Sequence, residues 1–447
     1  VKSWEPVVTG ELAAAALFAA REVCARLRVP SRVEEAIAAS EAQTAFPQAV
    51  HWSPYSVAQG YAGLALLWSY LDAVAPGEGW DVTAREHLEL AARGVEMHAG
   101  VHAGLFSGLS GMAFSAWQLS RGGTRYRRLL STLDGEITSQ AVFLSNGLLG
   151  RHGVAVSDFD VISGLSGIGT YLLCRRHEPV PRAALSSVVE TLVQLSGEQD
   201  GVPHWHTPAD HLGDEDLRKL YPHGDLNCGL AHGIPGTLAF LALACRDGVE
   251  SSGLAESVDR LAGWLSRNRL DDDWGVNWPT ATALVERDGR LEASPPAATS
   301  ARTSRCAWCY GSPGIARSLW LAGEALDRDD YRDLAIAAME AVFRRPVAER
   351  AIDSPSFCHG VAGLLQVALR FAHDTGRASF VDESRILLGQ ILGSYRPESL
   401  LGFRHLETAH TEMDQPGLLD GAPGVALVLL AAATGVEPAW DRIFLLS

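Results

Sequence analysis

Seven times along this chain a Gly-x-x-Gly tetrapeptide is followed at once by an apolar run. The copies read "GYAGLALLWSYL" from Gly60, "GLSGMAFSAWQL" from Gly108, "GLSGIGTYLLC" from Gly164 and "GIPGTLAFLALA" from Gly233, then "GSPGIARSLWLAG" from Gly311, "GVAGLLQVALRFA" from Gly360 and "GAPGVALVLLAAA" from Gly421. One such turn carries no information, but seven with the same sequel define an architecture. Each run is long enough for three helical turns and is apolar nearly all round, the pattern of a helix buried on every side. Proline follows in the turns at Gly233, Gly311 and Gly421, where the first turn of a helix tolerates its missing N–H. The glycines let helix starts approach closely and permit unusual backbone angles.

The intervening segments follow a different rule. In "SVDRLAGWLSRN", Val258, Leu261, Ala262 and Leu265 fall at helical spacing, and in "YRDLAIAAMEAVF" so do Leu334, Ala337, Ala338, Ala341 and Val342. These are amphipathic helices with one wet face. Seven buried helices alternating with seven amphipathic ones predict an all-α fold, an α/α toroid (a double α-barrel) of seven inner and seven outer helices, with the Gly-rich turns on one rim. Residues 1–447 then form a single domain, although the length alone predicts two or three. "HTPADHLGDEDLRKLYPHGD" (206–225) and "EASPPAATSARTSR" (292–305) read as long loops, and "DWGVNWP" as a short hairpin. The N-terminal "ELAAAALFAA" reads as an ordinary helix and not a signal segment, because Glu5 and Glu11 flank it.

Charge narrows the partners. With 37 basic against 53 acidic residues and a net charge of -16, neither a nucleic-acid backbone nor an anionic membrane surface is the expected partner. No apolar run approaches the roughly 18 residues of a membrane span. Seven scattered cysteines are no disulfide framework and point to a reducing, cytoplasmic setting.

If the turns line one rim, the residue before each first glycine faces the cavity mouth. These residues are Gln59, Ser107, Ser163, His232, Tyr310, His359 and Asp420, none of them aliphatic. Cysteines stand directly before two of them, as Cys309 and Cys358. A lone cysteine is usually a small buried hydrophobe. Cys309 and Cys358-His359, however, occupy equivalent positions of successive turns, and three such ligands match a catalytic zinc site with one open position. Cys306 completes "CAWC" (306–309) and leaves two alternatives, a redox pair or a fourth, closing ligand.

Together "WCYGSPG", "FCHGVAG" and "GLAHGIPG" resemble the signatures of the lanthionine synthetase C-like proteins, the lanthipeptide cyclases, and the seven turns extend the resemblance over essentially the whole chain. It implies one Zn2+ per chain held by Cys309, Cys358 and His359, with the fourth position open to a substrate thiol. It implies functional roles for His232, for Asp160 before the third turn, and for Arg305 four residues before the first cysteine ligand. It also places Trp308 and Tyr310 next to the metal, as a substrate site.

The implied reaction adds a peptide cysteine sulfur to dehydroalanine or dehydrobutyrine, forming a lanthionine or methyllanthionine thioether ring. Zinc lowers a thiol pKa from its ordinary value of about 8.5 and leaves a usable nucleophile. Addition generates an enolate: Arg305, permanently charged, suits its stabilisation, and His232 suits proton transfer. Asp160 orients His232 or holds the thiol; taken alone it reads as a helix cap. The substrate is a dehydrated precursor peptide, which implies a dehydratase and an exporter as partners of a stand-alone cyclase. The alternatives are a zinc-dependent thiol alkyltransferase, disfavoured because no basic cluster adjoins any turn, a zinc-containing protein that binds glutathione-like thiols without catalysis, and a scaffold of a larger complex.

Overall fold

Each of the seven turns opens a helix in a computed structural model, which describes residues 3–46, 52–294, 304–407 and 410–447. The helices are Tyr61–Val74, Leu109–Gln118, Leu165–Cys174, Ile234–Arg246, Ser312–Leu326, Val361–Thr375 and Ala422–Ala433, and in every case the first glycine of the turn is the N-cap. Burial follows the apolar pattern: every residue of Leu165–Cys174 is buried, as expected of a helix with no wet face. Seven outer helices accompany them, at Gly10–Leu27, Trp80–Met97, Arg127–Leu148, Pro179–Leu195, Leu254–Arg267, Asp329–Arg344 and Ala378–Gly393.

Two compact units emerge, each assembled from separated stretches of chain. The first comprises Val1–His102, Phe106–Leu133 and Ala351–Arg442, and the second Ala103–Leu105, Asp134–Arg350 and Ile443–Ser447. In the first unit Val361–Thr375 packs on Ala422–Ala433, that helix on Tyr61–Val74, and the last on Leu109–Gln118. The chain's first helix, Gly10–Leu27, packs on the inner helix Ala422–Ala433. Trp4 Nε1 and Val7 N tie this N-terminal segment down by donating to the carbonyls of Ala431 and Ala432. In the second unit Ile234–Arg246 lies between Leu165–Cys174 and Ser312–Leu326.

A string of backbone hydrogen bonds joins successive turns within each unit. In the first, Cys358 N donates to Leu419 O (2.9 Å), Leu419 N to Ala58 O (3.1 Å) and Ala58 N to Phe106 O (3.0 Å). In the second, Val161 N donates to Ala231 O (3.1 Å) and Ala231 N to Cys309 O (3.2 Å). Within a unit the turns therefore share one edge, and the residue before each first glycine comes beside its counterpart in the next turn.

The glycines are required mainly for space. Only Gly311 among the seven N-caps has a backbone conformation that favours glycine, at φ 104°. The second glycine of a turn receives a side chain from the preceding turn: a Cβ on Gly236 would lie 2.4 Å from Val161 Cγ2 and 2.3 Å from Leu230 O. Of the two expected roles, close approach therefore holds, and the unusual angle holds at Gly311 alone of the seven N-caps. Gly236→Ala is expected to destabilise the protein by about 1–3 kcal/mol through overpacking, read as a lowered urea midpoint at unchanged slope.

Two readings of the sequence need correction. Residues 206–225 are not simply a loop: they hold the helix Glu215–Leu220 and lead into the strand Asp225–Asn227. That strand pairs antiparallel with Ala281–Arg287, which pairs with Arg290–Ala293, giving a three-stranded sheet. Part of the second predicted loop, 295–303, lies outside the described residues. Of the predicted buried face of Asp329–Arg344, Ala338, Ala341 and Val342 are buried as expected, and the earlier part of the face is shifted by about one residue. Tyr331, Ala335, Ile336, Ala338 and Met339 are buried while Leu334 and Ala337 are half-exposed, because the large Tyr331, Ile336 and Met339 set the phase. The predicted hairpin is present, as Leu270–Asp272 paired with Gly275–Asn277.

Candidate active site and metal-binding group

All seven residues before the turns, from Gln59 to Asp420, are half-buried, and each is followed by a buried glycine. This common exposure is what places reactive groups at a surface without releasing them into bulk water.

In the first unit, the Cys358–Leu419 backbone bond brings the sixth and seventh turns together. The ligand atoms of Cys358, His359 and Asp420 lie within 4.8 Å of one another. His359 Nδ1 stands 3.5 Å from Asp420 Oδ1, and the imidazole is edge-on to His405 at 5.2 Å. Asp420 Oδ1 is buried and has no hydrogen-bond partner among the described residues. Its other oxygen accepts from Gln59 Nε2 at 3.5 Å, so the first turn also reaches this group. Asp420 is the residue the sequence reading placed at the rim but gave no role; its equivalence to His359 was the available signal.

In the second unit, the bond from Val161 to Ala231 sets Asp160 beside His232. Asp160 is buried, and its two oxygens divide the two roles considered for it. Oδ1 accepts from Ser163 N (2.7 Å) and Gly164 N (2.8 Å), capping the turn, while Oδ2 lies 2.7 Å from His232 Nδ1. An ionised carboxylate accepts only, so Nδ1 carries the proton and the Nε2 lone pair points away from the pair. The His232 side chain is 41% exposed against 2% for Asp160, so only the histidine is open to a substrate.

Tyr310 stands beside this pair, its ring 6.4 Å from that of His232. Asn227 Nδ2 donates to its phenol oxygen at 3.1 Å, and Asn227 Oδ1 is fixed by Gly229 N at 2.9 Å. Burial pushes the Tyr310 phenol up to about 12, so it keeps its proton through the neutral range and offers it as a donor. Asn227 comes from the unpredicted sheet and had no sequence signal. Gly229 is needed because a Cβ there would sit 2.5 Å from Tyr310 Cε1. Gly229→Ala is therefore expected to displace the ring and slow turnover about as much as Tyr310→Phe, without altering metal content, in a single-turnover assay.

The remaining predicted residues fall in the second unit. Cys309 is buried, and its thiol has no hydrogen-bond partner among the described residues. Arg305 is half-buried with no side-chain partner among them. Trp308 is fully buried: its Nε1 donates to Phe444 O at 2.9 Å and its ring is edge-on to Phe444. It presents no surface to a substrate and anchors the turn from within. Cys306 is buried with its sulfur accepting from Arg345 Nη1 at 3.2 Å, and burial pushes its thiol pKa up, the opposite of what either a redox pair or a metal ligand requires. All seven cysteines are free thiols.

With this geometry in place, the comparisons with known proteins bear on one class. Residues 51–445 match the family model described as lanthionine synthetase C-like protein, and the chain belongs to that family. It is 27% identical over 353 residues to the nisin biosynthesis protein NisC of Lactococcus lactis subsp. lactis, covering 78% of this chain and 82% of that protein. The solved structure of nisin cyclase matches with a TM-score of 0.75 at 24% identity, over 93% of this chain and 97% of that one. This match assigns the chain the α/α toroid class expected from its repeats. Among the described residues no helix is long and apolar enough to cross a membrane.

Proposed function

We propose that the two groups of residues serve one reaction, the closure of thioether rings in a dehydrated peptide by a zinc-dependent lanthipeptide cyclase. Membership of the lanthionine synthetase C-like family makes the chain an enzyme of the lanthionine-forming class and does not favour the thiol-binding or alkyl-transfer alternatives. The observation that carries the assignment of roles is the Asp160–His232 pair, with Nδ1 held at 2.7 Å and the ring edge bearing Nε2 open.

Cys358 and His359 are metal donors in this reading, and Cys309 is the third, by its equivalent place in the preceding turn. The donors suit zinc. Thiolate and imidazole are its preferred ligands, and the unpartnered buried oxygen of Asp420 is a group that a cation satisfies. When bound, zinc holds a thiol in its thiolate form at neutral pH. His232, through Nε2, exchanges the proton at the substrate α-carbon, and Asp160 keeps it in the required tautomer and stabilises its charged form. Tyr310, locked by Asn227, donates its phenol proton toward the developing enolate oxygen, and Arg305 supplies the positive charge there.

The substrate is a precursor peptide whose serine or threonine residues a dehydratase has already converted, and an exporter is the natural recipient of the product. A reducing cytoplasm is where seven free thiols persist. Residues 1–447 act as a single domain, a reading supported by the interleaving of the two units along the chain.

Ring closure conserves mass, so the test is thiol alkylation. A synthetic peptide carrying one dehydroalanine and one cysteine is incubated with zinc-loaded protein, treated with an alkylating agent and weighed by mass spectrometry. The expected product resists alkylation. A peptide that binds but stays fully alkylatable would favour the thiol-binding alternative.

A further inference from the structure

We infer that Asp225 is a substrate-binding residue of the second unit, its carboxylate accepting an N–H donor of the peptide, a backbone amide or a lysine ammonium, beside Tyr310. This rests on the cyclase reading of the chain.

Asp225 is only 4% exposed, yet its carboxylate makes no hydrogen bond or ion pair with any described residue, and Oδ1 is sealed from solvent. Thr207, 1% exposed, has a buried hydroxyl that also lacks a partner among them. The two residues pair antiparallel, each donating its N–H to the other's carbonyl at 2.9 Å, so their side chains stand side by side on one face. Buried polar groups in folded proteins are almost always paired, and an unpaired buried carboxylate is among the least favourable. Burial raises the Asp225 carboxyl from its ordinary 3.8 to about 6. The group is therefore ionised at neutral pH, and its charge costs stability with no contact inside the described fold to offset it. A group retained on those terms is one that a ligand uses.

Its place in the sheet says which ligand. Alternate residues of a strand share a face, so Asp225 lies on the same side as Asn227, which donates to the Tyr310 phenol at 3.1 Å. Opposite these two stand Ala283 and Ala281, small and half-exposed, whereas Leu226, Thr282 and Leu284 on the reverse face are buried. The open face is thus a floor of small residues leading from Thr207 and Asp225 to Asn227 and Tyr310. Burial is the main cause of the raised Tyr310 phenol, and the nearby Asp225 charge adds to it. Two strand residues span roughly 7 Å, the length of an extended dipeptide. A peptide with its alkene at Tyr310 and His232 therefore sets a group about two residues away over Asp225. An ionised carboxylate accepts only, so that group is an N–H donor.

The test uses full-length, zinc-loaded protein and two synthetic peptides with one dehydroalanine and one cysteine, carrying either lysine or norleucine two residues to each side of the dehydroalanine. Affinity is read by fluorescence anisotropy with serine in place of the cysteine, so that binding is measured without reaction. Asp225→Ala is expected to keep its zinc, to bind the lysine peptide about tenfold or more weakly, as for a lost hydrogen bond to a charged group, and to show a raised KM at little change in kcat. An ammonium donor makes the norleucine peptide equally weak on wild type and no weaker on Asp225→Ala; a backbone donor makes both peptides lose alike on the variant. Asp225→Asn, which keeps the shape, is the second variant. It should raise the urea midpoint above about pH 6, an advantage that fades toward pH 4 as the wild-type carboxyl takes up its proton. Wild-type affinity and KM in both variants overturn the inference and leave the cyclase reading standing. A wild type that closes no ring in either peptide overturns both.

Discussion

Replacing Cys358 by alanine removes the metal and, with it, ring formation above the uncatalysed background. The side chain contributes one of two soft donors in the proposed centre, and a site reduced to one thiolate and one imidazole lacks the three protein ligands that zinc catalysis requires. The loss has two components of different size. At pH 7 a thiol of pKa about 8.5 is only about 3% ionised, so loss of thiolate formation alone lowers the rate roughly thirtyfold. The larger share is positional, because holding the sulfur against the alkene replaces an encounter by a near-attack geometry. Misfolding is not the expected cause of the loss, since the hydrogen bond from Cys358 to Leu419 is made by the backbone nitrogen and survives the substitution. Elemental analysis and the alkylation assay, run beside wild type, check both halves. A variant that kept its zinc and its full rate would remove Cys358 from the mechanism.

His232→Ala gives the complementary outcome, full metal content with ring formation slowed by about 10²–10⁴, the usual range for a lost acid–base group. Its nearest ionisable partner, Asp160, lies in the same unit and is no donor to the metal. Asp160→Asn distinguishes a chemical role from a packing one. An amide at that position donates to Nδ1, moves the imidazole proton to Nε2 and turns the proposed base into a donor. The ring stays in place while its lone pair is lost, so a large fall in rate with an unchanged thermal midpoint marks a tautomer effect. Asparagine keeps one acceptor oxygen, which still caps the turn through Ser163 N and Gly164 N, so the stability is expected to hold. An Asp160→Asn enzyme as active as wild type would show that only the cap matters, and an equally fast His232→Ala enzyme would overturn the acid–base assignment.

How much of this was legible beforehand follows from the range of each interaction. The inner helices were readable because their signal is local: a turn of fixed length, then a run that is apolar nearly all round. The reason for the glycines was not. Of the two atoms that exclude a Cβ at Gly236, Leu230 O is local but Val161 Cγ2 comes from 75 positions earlier in the sequence. The sheet that holds Asn227 escaped notice for the same reason, since its strands are three to seven residues long and Asp225 pairs with Ala283. The outer cover of the last helix is supplied from the opposite end of the chain, which no periodicity announces.

For the site the division is similar. The sequence by itself determined the reactive inventory, because "WCYG", "FCHG" and "AHG" each set a chemically competent side chain at the same offset from a helix start, and backbone geometry makes that offset reproducible. The tertiary structure decided what each side chain meets. It gave Asp160 one oxygen for a cap and one for a base, buried Trp308 beyond reach of a substrate, turned Cys306 toward Arg345 and brought an unassigned aspartate, Asp420, to His359. Apart from the local cap, those outcomes depend on contacts between residues 39 to 136 positions apart, and such contacts form only when the chain has folded.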